Sequence, residues 1–435
     1  MTPGARIAAA IDLLESIGLA HPPIEPVIDG FLRARRYMGA KDRRAVLDRA
    51  FAVLRSTRRL DWHIARITGG EATPRRRVLA GLILADGLGL AEAAALFSGQ
   101  GYAPPPLDAA ETTLAAALVE QPLDHPAMPA PVLMEHPDWL EGSLRRAFGP
   151  ALKAELTALN VPAPLDVRVN TLKTSREVAH AALLAEGVAS EPTPISPIGL
   201  RIAGRASLPA TRAFQDGLIE VQDEGSQLVA LLAGVRPGQT VVDYCAGAGG
   251  KTLALAAAMG GAGTLWALDV EGRFLERLAA RAKRAGIRVR THALADESDP
   301  WLAAHAATAD VVLVDAPCSG TGVWRRHPAA RAWLTPDRLA EAIERQRTAL
   351  AAAMPLVKPG GRLLYATCSV LVEENEERVA EMLSAHRDFR TVTVVDAWAA
   401  TFAAPCPVEG PCLRLSPIRS GTDGFFLAIL ERTSK

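Results

Sequence analysis

The chain has 435 residues, 49% of them hydrophobic and 5% aromatic, with 48 Lys/Arg balanced by 48 Asp/Glu. That length supports two or three domains and a large core, while a net charge of zero alone says nothing about nucleic acid. Five cysteines without a C-x-x-C pair argue against a disulfide framework, a zinc ribbon or a thioredoxin-like motif. No N-terminal apolar signal core and no run long enough to span a bilayer is present, so a cytoplasmic, membrane-free protein with reduced thiols is expected.

The first segment, to about Pro122, reads as helical. Ile7, Ile11, Leu14 and Ile17 recur at helical spacing, and Asp42 is placed to cap a helix whose apolar face runs Val46, Ala50, Val53 and Leu54. Between Phe31 and Arg77 there are 14 Lys/Arg against 4 Asp/Glu, a local charge of +10. Such a block is either a set of solvated helix faces or a phosphate-contacting surface. A proline-rich run follows, with Pro122, Pro126, Pro129, Pro131 and Pro137, and is the best domain boundary.

From Trp139 to about Pro237 short strands and helices mix. Leu165 to Val169 alternates like a strand, Ser175 starts a helix through Leu183, Ile219 to Val221 is extended, and Ser226 to Leu232 is helical. A small α+β module is expected. Strand–helix alternation then becomes regular. Strands are read at Thr240–Tyr244, Gly263–Leu268, Val311–Val314, Arg362–Tyr365 and Phe425–Leu430. Helices are read at Thr252–Met259, Phe274–Ala285, Pro336–Met354 and Glu374–Ala385. Thr335-Pro336 is a good helix start, and Gly286 sits where a C-terminal glycine belongs.

Asp243-Tyr244-Cys245-Ala246-Gly247-Ala248-Gly249-Gly250-Lys251-Thr252 joins a strand to a helix. A Walker A loop needs glycine at 245 and a dinucleotide loop needs glycine at 252, and both fail. The pattern instead resembles motif I of the class I S-adenosylmethionine methyltransferases, which implies S-adenosyl-L-methionine as cofactor. Glycines let the backbone approach the ligand, and helix N-terminal amides meet its polar end. Asp269, ending the next strand, is placed to accept from ribose hydroxyls, with Glu271 as the alternative. Asp296, at the end of the run Thr291-His292-Ala293-Leu294-Ala295-Asp296, is a candidate adenine contact.

Cys318 and Cys368 follow the Val311–Val314 and Leu363–Tyr365 runs, and residues just past such strands line the crevice of a doubly wound sheet. Two thiols there, with Asp315 nearby, suggest sulfur-nucleophile chemistry. Asp315-Ala-Pro-Cys-Ser-Gly-Thr-Gly322, Arg325-Arg-His-Pro328 and Tyr365-Ala-Thr-Cys-Ser-Val-Leu-Val-Glu-Glu-Asn375 resemble motifs IV and VI of the Nop/Sun family of RNA cytosine-5 methyltransferases. The resemblance spans roughly Asp166 to Leu430. It implies that Cys368 attacks C6 of cytosine, that Cys318 assists product release, and that Asp315 hydrogen-bonds N3. Roles reversed between the cysteines stay open, because DNA cytosine methyltransferases use a Pro-Cys nucleophile resembling Pro317-Cys318. Lys251 and Pro317 are expected near the target base. Asp166 to Lys173 resembles the family's RNA-contacting module, which implies substrate contacts from Arg168 and Asn170. Gly247-Ala248 departs from the Ala-Pro of many members.

The N-terminal segment is similar to the NusB-like domain of the family's bacterial 16S ribosomal RNA member, through Asp42-Arg43-Arg44 and Leu54 to Leu60. The expected fold is α/β: a class I methyltransferase (Rossmann-like, mostly parallel sheet) with an N-terminal all-helical domain and a small α+β RNA-binding module. The expected domains are a NusB-like RNA-binding domain at 1–125, the RNA-contacting module at 138–236 and the catalytic domain at 237–435. The expected partner is RNA, from 16S rRNA or a ribosomal subunit precursor, methylated by a monomer without a metal. Alternatives are a non-catalytic RNA-binding or ribosome assembly factor, and a methyltransferase acting on tRNA or another substrate.

Overall fold

The computed structural model describes residues 1–19, 24–204 and 206–434; residues 20–23, 205 and 435, one stretch in each expected domain, lie outside the described residues. Backbone contacts divide it into two compact units, residues 1–142 with 327–334 and residues 143–326 with 335–435. No described helix is long and apolar enough to cross a membrane.

The first unit is helical, with principal helices at Pro3–Gly18, Glu25–Ala34, Ala40–Arg55, Thr57–Thr68, Pro74–Leu84, Leu90–Leu96 and Ala109–Leu118. Local chemistry sets their starts. Thr2 and Thr73 accept amides ahead of Pro3 and Pro74, and Asp108 with Glu111 forms a reciprocal capping box. Asp42 is not the cap of the third helix. Gly39 holds that position, while Asp42 lies in the first turn and accepts from Arg6 Nε at 2.8 Å and from the N-terminal ammonium at 3.2 Å. Val46, Ala50 and Val53 are buried as the periodicity requires. Contacts divide the units after Gly142 rather than within the proline-rich run. Within the first unit Glu135, in that run, is a buried carboxylate that accepts from Arg58 N at 3.0 Å, Arg59 N at 3.1 Å and Arg59 Nε at 2.9 Å.

Much of the basic block is neutralised inside this unit. Arg35, Arg49, Arg58, Arg75 and Arg77 pair with Asp12, Asp86, Asp138, Glu111 and Asp61, and Arg59 pairs with Asp124 and Glu135. Arg33, Arg36, Lys41 and Arg44 are exposed, and no ion pair of theirs is found among the described residues. They surround the turn between the second and third helices, beside Tyr37, whose ring is 70% exposed.

The second unit holds two sheets. In the smaller, β1 (Leu165–Val169), β2 (Ser190–Pro192), β3 (Gly199–Ile202) and β4 (Ile219–Val221) lie in the order β2-β3-β1-β4, all pairs antiparallel. The helix Arg176–Ala185, capped by Ser175, packs Ala179 and Leu183 against Val167, Val169 and Leu200. The helix expected from Ser226 starts earlier, at Glu224, because Asp223 caps it.

The larger sheet contains β5 (Thr240–Tyr244), β6 (Thr264–Asp269), β7 (Arg290–Ala293), β8 (Ala309–Asp315), β9 (Val357–Thr367), β10 (Phe389–Val392), β11 (Leu413–Leu415) and β12 (Phe425–Arg432). Its order is β10-β12-β9-β8-β5-β6-β7, with β11 also on β12. Strands β5 to β9 are parallel, and β12 is antiparallel to β9. The fold is the expected methyltransferase-like one. The unbroken apolar run in β8 follows from burial on both faces. Val311 and Leu313 pack into one core cluster, and Val312 and Val314 into the other. After β5 the chain winds outward to β6 and β7, then returns to place β8 on the other side of β5. The switch point between β5 and β8 opens a crevice at the carboxyl ends of the strands.

Candidate active site

The loop after β5 turns on backbone conformations that side chains rarely take. Cys245, Gly247 and Gly249 have φ of 64°, 54° and 84°. At Gly249 a Cβ would lie 2.5 Å from Leu278 Cγ, so only glycine brings the loop this close to the helix Gly272–Ala285. At Gly247 a Cβ would meet nothing within 4 Å, so that side of the loop is open. Ala246 N donates to Leu268 O at 2.9 Å, and Ala248 O accepts from Arg281 Nη1 at 2.7 Å. Gly250 begins the helix Gly250–Ala258 with no side-chain cap, leaving its first amides available. Asp269, at the end of β6, accepts from Gly247 N and Glu271 N, both at 2.8 Å.

The two cysteines meet. Strands β8 and β9 are hydrogen-bonded neighbours with Asp315 opposite Ala366, and the loops beyond them bring Cys318 Sγ within 3.4 Å of Cys368 Sγ. Gly322 N donates to Cys368 O at 2.9 Å, and Gly424 N donates to Gly322 O at 2.8 Å. A Cβ on Gly322 would lie 2.2 Å from Gly424 O and 2.8 Å from Cys368 O, so this approach requires glycine. Asn375 donates to Ser369 O at 3.0 Å and accepts from Thr367 Oγ1 at 2.6 Å, bracketing Cys368.

Beside the thiols, Lys251 Nζ donates to Asp315 Oδ2 at 2.7 Å. Burial by itself lowers the Lys251 pKa. The charge and hydrogen bond of Asp315, with the charges of Cys368 and Asp243, outweigh it and hold its pKa above the ordinary lysine value. The Cys318 thiol is pushed well above the usual thiol range, first by its hydrogen bond with Cys368, then by burial and the charges of Cys368 and Glu374. Burial also raises Cys245, with Asp269 and Asp315 adding to it.

Three expected site residues do something else. Arg168 is 1% exposed, and its Nε donates to Gln222 Oε1 at 2.7 Å and its Nη1 to Leu253 O at 3.5 Å. Burial lowers its pKa to about 10. Asn170 is 2% exposed and donates to Gly217 O and Ala285 O, each at 2.9 Å. Both residues tie the small sheet to the methyltransferase fold and present no surface to RNA. Asp296 is exposed and closes its own turn, accepting from Ser298 N at 2.7 Å and Ser298 Oγ at 2.6 Å. Pro317 lies in the Cys318 loop, where its carbonyl accepts from Gln346 Nε2 at 3.0 Å.

Two acids were not picked out from the sequence. Glu374, read as a helix-start carboxylate, is fully buried beneath the Cys318 loop. Asp243, the first residue of the glycine loop, is 1% exposed and accepts from Thr252 Oγ1 at 2.6 Å, while its Oδ1 has no partner. Burial raises its pKa to about 7. Its place at the head of the loop motif was the available signal. Among the described residues no acid, His and Cys cluster suits a metal ion.

The family described as 16S rRNA methyltransferase RsmB/F matches residues 230–431, and an RsmF/B-like ferredoxin-like domain matches residues 136–208. A ribosomal RNA small subunit methyltransferase B from Erwinia tasmaniensis is 31% identical over 92% of this chain and 92% of its own length. The chain belongs to the RsmB/F (Sun) family. A probable member from Synechocystis is 33% identical over 68% of this chain and 66% of its own length. The crystal structure of PH0851 covers 99% of both chains at 27% identity with a TM-score of 0.77.

The protein is thus a methyltransferase of a ribosomal RNA family whose methyl donor is S-adenosylmethionine. The loop after β5 fits that donor. The open side at Gly247, the uncapped amides of Gly250–Ala258 and the Asp269 carboxylate at the end of β6 offer room and polar partners to an amphipathic ligand with an ammonium and a ribose.

Proposed function

We propose that this methyltransferase forms 5-methylcytosine in 16S ribosomal RNA through a covalent bond between Cys368 and C6 of the target base. The observation that carries the reading is the 3.4 Å approach of Cys318 and Cys368 at the ends of adjacent strands, beside the Lys251–Asp315 pair. Cytosine C5 is too weakly nucleophilic to accept a methyl group directly. A thiolate adding at C6 makes C5 enamine-like. S-adenosylmethionine, when bound, supplies an electrophilic methyl group. Cys245, Ala246, Gly247, Ala248, Gly249, Gly250 and Lys251 form its loop in this reading, with Asp269 at the ribose.

Asp315 faces cytosine N3, and the Lys251 ammonium, donating to Asp315 at 2.7 Å, holds positive charge beside the ring as it becomes electron-rich. Release is an elimination: a base such as water takes the C5 proton, its electron pair re-forms the C5–C6 double bond, and Cys368 departs as the thiolate, with the Cys318 thiol beside it to donate a hydrogen bond to the departing sulfur. The target base must leave its stack to reach the crevice. The helical unit is an NusB-like RNA-docking domain, acting through Arg33, Arg36, Lys41 and Arg44. The protein works in the cytoplasm as a monomer.

The test is bisulfite mapping of 16S RNA incubated with enzyme and donor. A single enzyme-dependent 5-methylcytosine supports the reading. Methylation at another atom, or in RNA of another class only, overturns it.

A further inference from the structure

We propose that Glu374 is a positioning residue that keeps Cys318 as a neutral thiol, so that Cys368 alone serves as the attacking sulfur. The inference rests on the cysteine roles proposed above and supplies what sets them.

Glu374 lies in the turn Val372–Glu374, ahead of the helix Glu376–Ala385, and is fully buried. Its Oε1 accepts from Ser319 N at 2.8 Å and from Gln346 Nε2 at 2.9 Å, and its Oε2 accepts from Ser319 Oγ. Gln346 Nε2 also donates to Pro317 O at 3.0 Å. The carboxylate therefore grips the backbone on both sides of Cys318, directly at Ser319 and through Gln346 at Pro317. Tyr365 Oη, from β9, donates to the Glu374 carbonyl and fixes the turn from below.

All these partners are neutral donors, and among the described residues no cation pairs with Glu374. From the helix Pro336–Ala353 only the uncharged Gln346 reaches it, while Arg347 pairs with Glu344 and Glu381. On the helix that follows, Arg378 is tied to Glu381 and to the Glu373 carbonyl. Glu374 therefore adds to what raises the Cys318 thiol, behind the hydrogen bond with Cys368, burial and the charge of Cys368. A like charge nearby disfavours a thiolate.

The opposite condition holds across the 3.4 Å sulfur–sulfur contact. There the Lys251 ammonium, paired with Asp315, is stabilised by charge at Cys368. Tyr365 also faces Cys318, and burial raises its phenol well above the usual range, so it brings no charge. One thiol thus lies in the loop that the Glu374 carboxylate grips, and the other near an ammonium. Two sulfurs in contact do not both ionise. This asymmetry lets Cys318 donate its S–H toward a Cys368 thiolate and keeps it from competing for C6.

Full-length wild-type and Glu374→Gln proteins are alkylated with iodoacetamide from pH 6 to pH 10, and the Cys318 and Cys368 peptides are quantified separately by mass spectrometry. Glutamine can keep the contacts of Glu374 without its charge. In the wild type Cys368 reacts at lower pH than Cys318. In E374Q the Cys318 profile moves to lower pH, with severalfold more Cys318 alkylation at a fixed pH below its midpoint. An unmoved Cys318 profile in folded E374Q overturns the inference. If E374Q does not fold, the wild type decides, because Cys318 reacting at or below the pH of Cys368 overturns it as well. Alkylation needs no RNA, so failure here is distinct from failure to form 5-methylcytosine, which would count against the proposed function.

Discussion

Replacing Gly249 with alanine tests how the glycine loop is held in place. Two costs add. The left-handed φ of 84° costs a non-glycine residue about 1–2 kcal/mol. A Cβ at 2.5 Å from Leu278 Cγ and 2.9 Å from Leu278 Cδ1 forces overpacking, worth about 1–3 kcal/mol. G249A should therefore destabilise the second unit by about 2–5 kcal/mol and weaken S-adenosylmethionine binding. Leu278→Ala removes both clashing atoms, itself costing about 2–5 kcal/mol as a buried leucine. In that background G249A should cost only the conformational part, so the double mutant is more stable than additivity predicts by about 1–3 kcal/mol. The assay is equilibrium urea unfolding of the four proteins, with calorimetric titration of the donor. Equal costs of G249A in both backgrounds would refute the packing argument.

Arg168→Met should lower unfolding stability while leaving RNA affinity of the folded protein unchanged, checked by thermal melts and filter binding; a selective loss of RNA affinity would restore the substrate role. Combined R36A, K41A and R44A substitutions should weaken RNA binding and flatten its salt dependence by about 0.7–0.9 in log–log slope per lost phosphate contact, with little change in stability. Asp243, with its folded pKa raised to about 7, binds its proton more tightly folded than unfolded. Its contribution is thus present at low pH and lost as pH rises from about 4 through 7. Between pH 5 and pH 8 it should remove about 2–3 kcal/mol, and Asp243→Asn should flatten that part of the urea-derived stability profile.

The sheet was legible where burial on both faces writes continuous apolar runs, as at Val311–Val314, and where glycine and cysteine mark strand ends. The short edge strands β7, β10 and β11 were not, because Arg290–Ala293 is largely exposed and carries no apolar pattern. Arg168 was expected at the RNA because Asp166 to Lys173 resembles the family's RNA-contacting module, and the resemblance does not say which way each side chain turns. The burial of Arg168 depends on Gln222 and the Leu253 carbonyl, 54 and 85 positions away. The basic block between Phe31 and Arg77 read as free charge for the same reason. Asp12, Asp86, Glu111, Asp124, Glu135 and Asp138, all outside it, neutralise much of it. Glu374 looked like one of several acids at a helix start, and only the fold turns it inward.

The most direct test of the central claim is trapping the covalent complex. Cys318→Ala enzyme, incubated with 16S RNA and S-adenosylmethionine, should form a protein–RNA adduct that survives denaturing electrophoresis, with peptide mapping placing the linkage at Cys368. Adduct formation by Cys368→Ala enzyme through Cys318, or full methylation by a Cys368→Ser enzyme, would contradict it.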